Sequence, residues 1–272
     1  MANKGKYYES QFEEATIELL REAHWQYTLG DDIHRKYTDP LIEEDLRNFL
    51  AVQYKDKNLT TSEMDGIVAN LRNTGGQNDY YALRNAFLLY RDGYDFAYSD
   101  SRDNPFRMEY IDFEHPDHNI FRCVNQFVMG QGRENRRPDI LLFINGIPVC
   151  IIELKNPTKQ NATIRDAHTQ ICTRYMRDIP ALLKYCALAV ISDGAKNALG
   201  TTYTPFEFFY EWKKIENEDK AGKGLDTLRT LIRGALSPER ILEILRDYVY
   251  FPDPTKEDDT TEIVCRYPQF FA

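Results

Sequence analysis

Apolar residues recur every three to four positions through the first third of the chain, a spacing typical of amphipathic helices. Between residues 7 and 23 the apolar positions are separated by glutamates, which places one hydrophobic stripe on a helix. Asp39-Pro40 supplies a cap residue and a first-turn proline for a second helix. The segment from about 31 to 95 is therefore predicted to be a helical insertion. The helices predicted are 7–23, 40–54, 61–73 and 79–92.

The pattern changes near residue 107, where β-branched and aromatic residues form short runs. Asn145-Gly146 between two apolar runs indicates a tight hairpin. The order of helix, three or four antiparallel strands, helix and strand predicts an α/β fold, with a central mixed β-sheet flanked by helices. The later elements predicted are strands 107–114, 120–129, 139–144, 147–154 and 185–192, and helices 163–177, 225–235 and 238–248.

The composition indicates a globular protein and argues against a disulfide-rich or membrane-spanning one. The chain has 272 residues, 42% hydrophobic and 28% charged, enough for one large domain or for one domain and the start of another. Its five scattered cysteines include no Cys-x-x-Cys pair, so we expect neither a zinc nor a disulfide framework, and we expect a cytoplasmic location. No apolar run approaches the roughly 18 residues of a membrane span, so no membrane partner is expected.

The net charge of −9 at first disfavours a nucleic-acid partner. The local balance is different. The segment from Arg133 to Arg177 contains eight basic and four acidic residues, which gives it a local charge of +4. This basic island favours contact with a phosphate backbone, although a mixed-charge surface without function would look the same.

Three charged residues in the middle of that island indicate a reaction. Asp139 begins the first strand of the predicted hairpin, and Glu153 and Lys155 lie at the end of its β-branched second strand. Two carboxylates can hold a hard cation that activates water, and a lysine can orient or deprotonate that water beside a phosphodiester. The pattern predicts a metal-dependent nuclease site, although Glu-x-Lys alone also occurs by chance on exposed strands.

The hairpin makes this hypothesis testable. A regular two-residue turn at Asn145-Gly146 would pair 144 with 147 and therefore 139 with 152. Because side chains alternate between the two faces of a strand, Asp139 and Glu153 would then project from opposite faces of the sheet. We therefore predict a three-residue turn or a β-bulge, which shifts the register by one and brings Asp139 across from Glu153.

Several motifs resemble, in the same order, the N-terminal nuclease region of type I restriction enzyme R subunits. The resemblance covers roughly residues 7–30 and 107–272. It implies a PD-(D/E)xK restriction-endonuclease-like fold and cleavage of double-stranded DNA with Mg²⁺, or with Mn²⁺. The motifs are Val124-Asn-Gln-Phe-Val, Arg137-Pro-Asp-Ile-Leu-Leu-Phe-Ile-Asn-Gly-Ile-Pro, Ile152-Glu-Leu-Lys-Asn-Pro157, Ile191-Ser-Asp-Gly-Ala195, Gly200-Thr and Pro205-Phe-Glu-Phe-Phe-Tyr-Glu-Trp212.

The resemblance also implies a larger assembly. R subunits are ATP-driven translocases that work with modification and specificity subunits, and sequence specificity belongs to another subunit. Residues 1–215 would form the endonuclease domain, and 216–272 a helical connector leading to a motor. Gln269 resembles the adenine-reading glutamine of such motors. No Gly-x-x-x-x-Gly-Lys-Ser/Thr loop occurs in the sequence, so ATP binding is expected only in a longer protein.

Residue by residue, the resemblance makes Asp139 and Glu153 metal ligands and Lys155 the catalytic lysine. Glu13, or Glu9 one turn earlier, would be the first-helix ligand. The family's Gln-x-x-x-Tyr motif is one residue longer here, from Gln170 to Tyr175, and in a regular helix these two would diverge. Either a π-bulge realigns them or Arg174 replaces the tyrosine. The residues expected to hold DNA are Gln170, Arg174, Tyr175, Arg137 and Lys159.

Two other interpretations stay open. The same fold could be a non-catalytic module that docks a motor onto the modification core, or a nuclease of another DNA-defence or repair system. Separately, His115-x-x-His118 in an acidic turn could bind zinc weakly, although an exposed turn is the simpler interpretation.

Overall fold

The computed structural model describes residues 2–100, 103–130, 135–155, 163–216, 222–252 and 260–272, with side chains from residue 10 onward. The helices are α1 Ala2–Glu22, α2 Glu43–Gln53, α3 Thr61–Asn73, α4 Asp79–Asp92, α5 Ile164–Thr169, α6 Met176–Asp178, α7 Pro180–Leu183, α8 Leu225–Ala235, α9 Pro238–Glu243 and α10 Tyr267–Phe270. The strands are β1 Gln26–Leu29, β2 Tyr94–Phe96, β3 Phe106–Met108, β4 Phe121–Asn125, β5 Ile140–Ile144, β6 Ile147–Leu154, β7 Leu188–Ser192, β8 Asn197–Gly200, β9 Val249–Tyr250 and β10 Ile263–Val264. Two π-helical turns, Gln170–Tyr175 and Ile244–Tyr248, and 3₁₀ turns at Gly30–Asp32, Lys55–Lys57, Pro116–His118 and Phe206–Phe208 complete the regular structure.

A six-stranded mixed sheet forms the centre, in the order β1-β4-β5-β6-β7-β8. The β1–β4 and β6–β7 pairs are parallel, and the other neighbours are antiparallel. Apolar clusters cover both faces, so every residue of β5, β6 and β7 is buried. The predicted α/β fold with a central mixed sheet flanked by helices is confirmed, and it is restriction-endonuclease-like.

The segment between β1 and β4 confirms the predicted helical insertion, with α2, α3 and α4 close to their predicted bounds. The start predicted for α2 was wrong. Asp39 does not cap it, because the helix begins at Glu43 and Asp39 instead accepts from Leu41 N and pairs with Arg72. Helix α3 opens with a capping box between Thr60 and Glu63.

Two predictions about strands need correction. Only Phe106–Met108 of the predicted 107–114 strand is extended, and it pairs with β2 in a separate two-stranded sheet. Beyond this strand the chain packs against the helical insertion, where the hydroxyl of buried Tyr110 donates to Ile67 O. The short edge strands β1 and β8 were not predicted.

The residues beyond 216 pack onto the rest of the molecule. Helix α8 matches its prediction, and the predicted 238–248 helix ends in the second π-helical turn. Trp25 Nε1 donates to Leu236 O (2.7 Å), and Tyr80 Oη donates to Thr261 O (2.8 Å). One apolar cluster therefore spans both sides of residue 216, and the predicted division at 215/216 stays a prediction. Within the described residues, no helix is both long and apolar enough to cross a membrane.

Candidate active site

The hairpin β5–β6 has the shifted register that a shared carboxylate site requires. Its turn contains two residues, since Ile144 pairs with Ile147, but the pairing shifts between Leu142 and Phe143. Val149 is the extra residue of the resulting β-bulge. Beyond the bulge Ile140 pairs with Ile152, and one further step places Asp139 across from Glu153. The predicted bulge is confirmed.

The turn itself is fixed by residues that tolerate positive φ. Asn145 and Gly146 have φ of 50° and 76°, as a tight I′-type hairpin turn requires. A Cβ on Gly146 would lie 2.1 Å from Ile42 O, so the start of α2 also demands glycine here. Asn145 is fully buried, accepts from Ile120 N (2.8 Å) and donates to Asn119 Oδ1 (2.8 Å). The hairpin is thereby anchored at the end opposite Glu153.

Four side chains form a closed hydrogen-bonded ring at the end of β6. Lys155 Nζ donates to Glu153 Oε1 (2.7 Å) and to Gln170 Oε1 (2.8 Å). Gln170 Nε2 donates to Tyr175 Oη (2.6 Å), and Tyr175 Oη donates to Glu153 Oε2 (3.2 Å). We refer to Glu153, Lys155, Gln170 and Tyr175 as the carboxylate ring. It joins the strand that carries the Glu-x-Lys pair to the following helix.

A π-helical turn makes the ring possible. Residues Gln170–Tyr175 form one wide turn between α5 and α6, which places residues five apart on one face. The predicted π-bulge is confirmed. Arg174 is exposed, so the alternative in which it replaces Tyr175 beside Gln170 is not what the structure shows.

Burial sets the electrostatics of this ring. Glu153 is 1% exposed, and burial, followed by the nearby Asp139 carboxylate, raises the pKa of Glu153 to about 8 against the opposing effects of Lys155 and Tyr175. Asp139 is half-buried and its Oδ2 accepts from Leu154 N (2.7 Å). Burial also raises the pKa of the Tyr175 phenol, which therefore stays a proton donor. A cation would relieve the repulsion between these two carboxyl groups, one of which is buried.

An open cleft of about 640 Å³ lies beside Asp139 and is lined also by Glu13, Arg137 and Tyr27. Arg137 is exposed there. The structure thus brings the predicted first-helix acid Glu13 to the same cleft as Asp139. The side chain of Glu9 lies outside the described residues, as does Lys159.

Two amides that sequence reasoning did not assign hold Glu13. Asn125 Nδ2 (2.7 Å) and Gln126 Nε2 (2.8 Å) both donate to Glu13 Oε1, and Tyr27 Oη donates to Asn125 Oδ1 (3.0 Å). Gln126 has φ of 56°, which turns its side chain back toward α1 at the end of β4. The signal that could have found them is the motif Val124-Asn-Gln, whose two adjacent amides follow a strand.

The remaining predicted residues are dispersed. Gln269 is exposed and its Oε1 accepts from Arg266 N (2.8 Å).

Among the described residues, the one group of three potential metal ligands that lie close together is Asp112, His115 and His118. Glu13 does not form such a group with Asp139 and Glu153, so its role as a ligand stays a prediction.

Comparison with known proteins gives the family. Residues 6–208 match the model described as type I restriction enzyme R protein N terminus, which is most of the chain. The chain belongs to this family. Among relatives, it is 28% identical to the type I restriction enzyme HindI endonuclease subunit of Haemophilus influenzae, over 97% of the chain and 26% of that protein. It is 27% identical to the putative MjaIXP endonuclease subunit of Methanocaldococcus jannaschii, over 96% of the chain and 26% of that protein.

A third relative, the EcoprrI endonuclease subunit of Escherichia coli, is 30% identical over 46% of the chain and 40% of that protein. The chain spans about a quarter of the length of the first two relatives. The family membership accounts for the ordered motifs, since the match covers both strands of the hairpin and the π-helical turn.

Proposed function

We propose that this chain is the Mg²⁺-dependent endonuclease domain of a type I restriction R subunit, and that it hydrolyses double-stranded DNA without sequence specificity of its own. The observation that carries the proposal is the bulged hairpin, which brings Asp139 across from Glu153 and leaves Lys155 on the same face as Glu153. Family membership and the endonuclease names of the relatives support it.

The residues present fit a hard cation. Asp139 and Glu153 supply carboxylate oxygens, the ligands that Mg²⁺ prefers. Burial, and after it the Asp139 carboxylate, raises the pKa of Glu153, and a divalent charge would offset both effects. Asp139 and Glu153 would hold the ion, with Mn²⁺ as a substitute. When bound, it lowers the pKa of a coordinated water and stabilises negative charge on the phosphate.

The other residues of the chain position and steady the reacting groups. Lys155 is held by the amide oxygen of Gln170, so its ammonium has a fixed direction beside Glu153. There it can orient the attacking water or donate to a phosphate oxygen. Exposed Arg137 lines the cleft and exposed Arg174 lies within the π-helical turn, and both can neutralise the DNA backbone. Lys159, outside the described residues, would add to them. None of these contacts would read bases.

A longer protein would supply the remaining activities. We propose that modification and specificity subunits select the DNA, that an ATP-driven motor follows this region, and that Gln269 contacts the nucleotide there. The length of the relatives, about four times the matched region, leaves room for such a motor.

One observation favours a second function. Glu153 is nearly inaccessible and both its oxygens already accept hydrogen bonds, as would be expected of a structural carboxylate in a docking module without catalysis. The two functions differ in metal binding, because only the nuclease needs a cation at Asp139 and Glu153.

Calorimetric titration with Mg²⁺ and Mn²⁺ tests the choice. The nuclease predicts binding that disappears in Glu153→Ala and Asp139→Ala and survives in the control Asp95→Ala, whose side chain is 81% exposed on β2. In the full-length protein, Asp139→Ala, Glu153→Ala and Lys155→Ala should abolish plasmid cleavage while ATPase and translocation persist. Cleavage by any of the three variants would remove that residue from the mechanism. No binding of Mg²⁺ or Mn²⁺ by the wild type would support the docking module.

A further inference from the structure

The loop before β4 gathers a second set of potential metal ligands away from the carboxylate ring. Asp112, His115 and His118 each offer one ligand atom, and these atoms lie within 4.8 Å of one another. His118 Nδ1 lies 2.9 Å and His115 Nδ1 3.3 Å from the same carboxylate oxygen, Asp112 Oδ2. The centroids of the two imidazole rings lie 4.8 Å apart and their planes are inclined by 23°, so the rings are stacked and both Nδ1 atoms approach the same carboxylate oxygen.

The carboxylate at this point is held in a fixed position. Asp112 is 4% exposed, its Oδ1 accepts from the backbone N–H groups of Glu114 (3.0 Å) and His115 (2.9 Å), and Gln53 Nε2 donates to Oδ2 (3.0 Å). A buried carboxylate oxygen whose orientation is set by its neighbours is a prepared ligand.

Hydrogen bonding alone does not account well for the arrangement. Three nitrogens, from Gln53, His115 and His118, converge on Oδ2, whereas one carboxylate oxygen has about two lone-pair sites. A cation between Oδ2 and the two imidazoles would leave one lone pair for the metal and one for Gln53. Tetrahedral zinc with bonds of about 2.0–2.1 Å separates its ligands by about 3.4 Å. The 3.3 Å between His115 Nδ1 and Asp112 Oδ2 matches this spacing, and the 2.9 Å between His118 Nδ1 and Asp112 Oδ2 would have to widen on metal binding.

We propose that Asp112, His115 and His118 form a Zn²⁺ site distinct from the proposed Mg²⁺ site. Imidazole ligands select a first-row transition ion over Mg²⁺ or Ca²⁺. The exposed outer edges of His115 and His118, 62% and 47% exposed, leave the fourth position to water. The site therefore has the three protein ligands that zinc requires, and solvent can reach it.

The position of the site indicates what zinc would do. Asp112 N donates to Asn119 Oδ1, which also accepts from Asn145 of the hairpin turn, and Gln53 belongs to α2. The ion would thus fasten the loop to the helical insertion and to the turn end of β5–β6. The zinc ion would stabilise this region and would take no part in DNA cleavage.

The test uses the EDTA-treated and dialysed protein with ZnCl₂ in calorimetry, compared with His115→Asn and His118→Asn. The wild type should bind one more equivalent, at micromolar affinity, than either variant, and should melt roughly 5 °C higher with excess zinc. His24→Asn is the matched control, because His24 is exposed and its φ of 71° suits asparagine.

Visible absorption of the Co²⁺-loaded protein provides a second readout. Tetrahedral cobalt bands should be present in the wild type and in the control, and absent from both variants. Circular dichroism in EDTA shows that the variants fold. Equal zinc stoichiometry in wild type and His118→Asn, or no binding tighter than about 100 µM in the wild type, overturns the proposal. Glu153→Ala should keep the zinc equivalent, so this result is independent of the nuclease proposal.

Discussion

Gln170 and Tyr175 lie five positions apart, yet Gln170 Nε2 lies 2.6 Å from Tyr175 Oη. In a regular α-helix such residues point about 140° apart, and here the π-helical turn returns them to one face. This geometry also affects the carboxylate site, because the Tyr175 hydroxyl donates a hydrogen bond to Glu153 Oε2. The wide turn therefore couples the helix after the lysine to the buried metal-ligand candidate.

Tyr175→Phe should slow plasmid cleavage about tenfold and lower the melting temperature by a few degrees. The substitution removes the hydrogen bonds of Tyr175 Oη with Glu153 Oε2 and with Gln170 Nε2, and the one to the Glu153 carboxyl contributes about 1.5 kcal/mol. Single-turnover cleavage rates measure the effect. Tyr250→Phe, at a side chain 60% exposed, is the control and should cleave at the wild-type rate. An unimpaired Tyr175→Phe would show that the phenol is dispensable.

Local pattern was sufficient to predict much of this fold. Helices with a clear apolar stripe, such as α3 and α8, and the hairpin strands around Asn145-Gly146 were predicted within a few residues, because their signals lie within one short window. The edge strands β1 and β8 were missed. Each has four residues, and each is extended because a neighbouring strand pairs with it.

For the candidate site too, some features could be predicted from the sequence and others could not. The bulge and the π-helical turn followed from asking what geometry Asp139, Glu153, Gln170 and Tyr175 would need, and both are present. The amides that hold Glu13 could not be assigned, since they depend on the left-handed backbone of Gln126 and on the packing of α1 beside β4. Such contacts between distant segments leave no periodic trace in the sequence.

Deleting Val149 should leave cleavage intact wherever the protein folds. Val149 is the unpaired residue of the bulge, so its removal makes the hairpin regular without changing the pairs beyond it, and Asp139 stays across from Glu153. Because Val149 is buried, the deletion will lower stability, so Val149→Ala is the matched control: it loses packing but keeps the bulge. Plasmid linearisation at temperatures where each variant is folded measures the effect. A folded deletion variant that no longer linearises plasmid would show that the bulge itself is required, beyond the pairing of Asp139 with Glu153.

Glu13→Ala should reduce cleavage by roughly tenfold to a hundredfold without abolishing it. Glu13 lines the cleft beside Asp139 and is held by Asn125 and Gln126, an arrangement that suits an indirect contact with the cation through water. The Mg²⁺ concentration for half-maximal cleavage should rise in the variant. Glu18→Ala, at an exposed position of the same helix, is the control. An unchanged Mg²⁺ dependence would remove Glu13 from the metal site.

Glu262 should make the stability of the molecule depend on pH. Its carboxyl is 2% exposed, and burial raises its pKa well above the usual value of 4.5, against the smaller opposing effects of Thr201 and the backbone of Tyr203. The folded state therefore favours the protonated form. The stability contributed by this proton is complete below about pH 4.5 and is lost as pH rises through the folded pKa.

Glu262→Gln replaces this carboxyl with a neutral group of the same shape and should remove that loss. The variant should match the wild type near pH 4.5 and become more stable than it as pH rises, by up to about 1.4 kcal/mol per pH unit over the range where only the unfolded carboxyl is ionised. Denaturant unfolding of both proteins from pH 4.5 to 8.5 measures the difference, in which the other titrating groups cancel. A constant difference across that range would mean that Glu262 ionises in the folded protein as readily as in the unfolded chain.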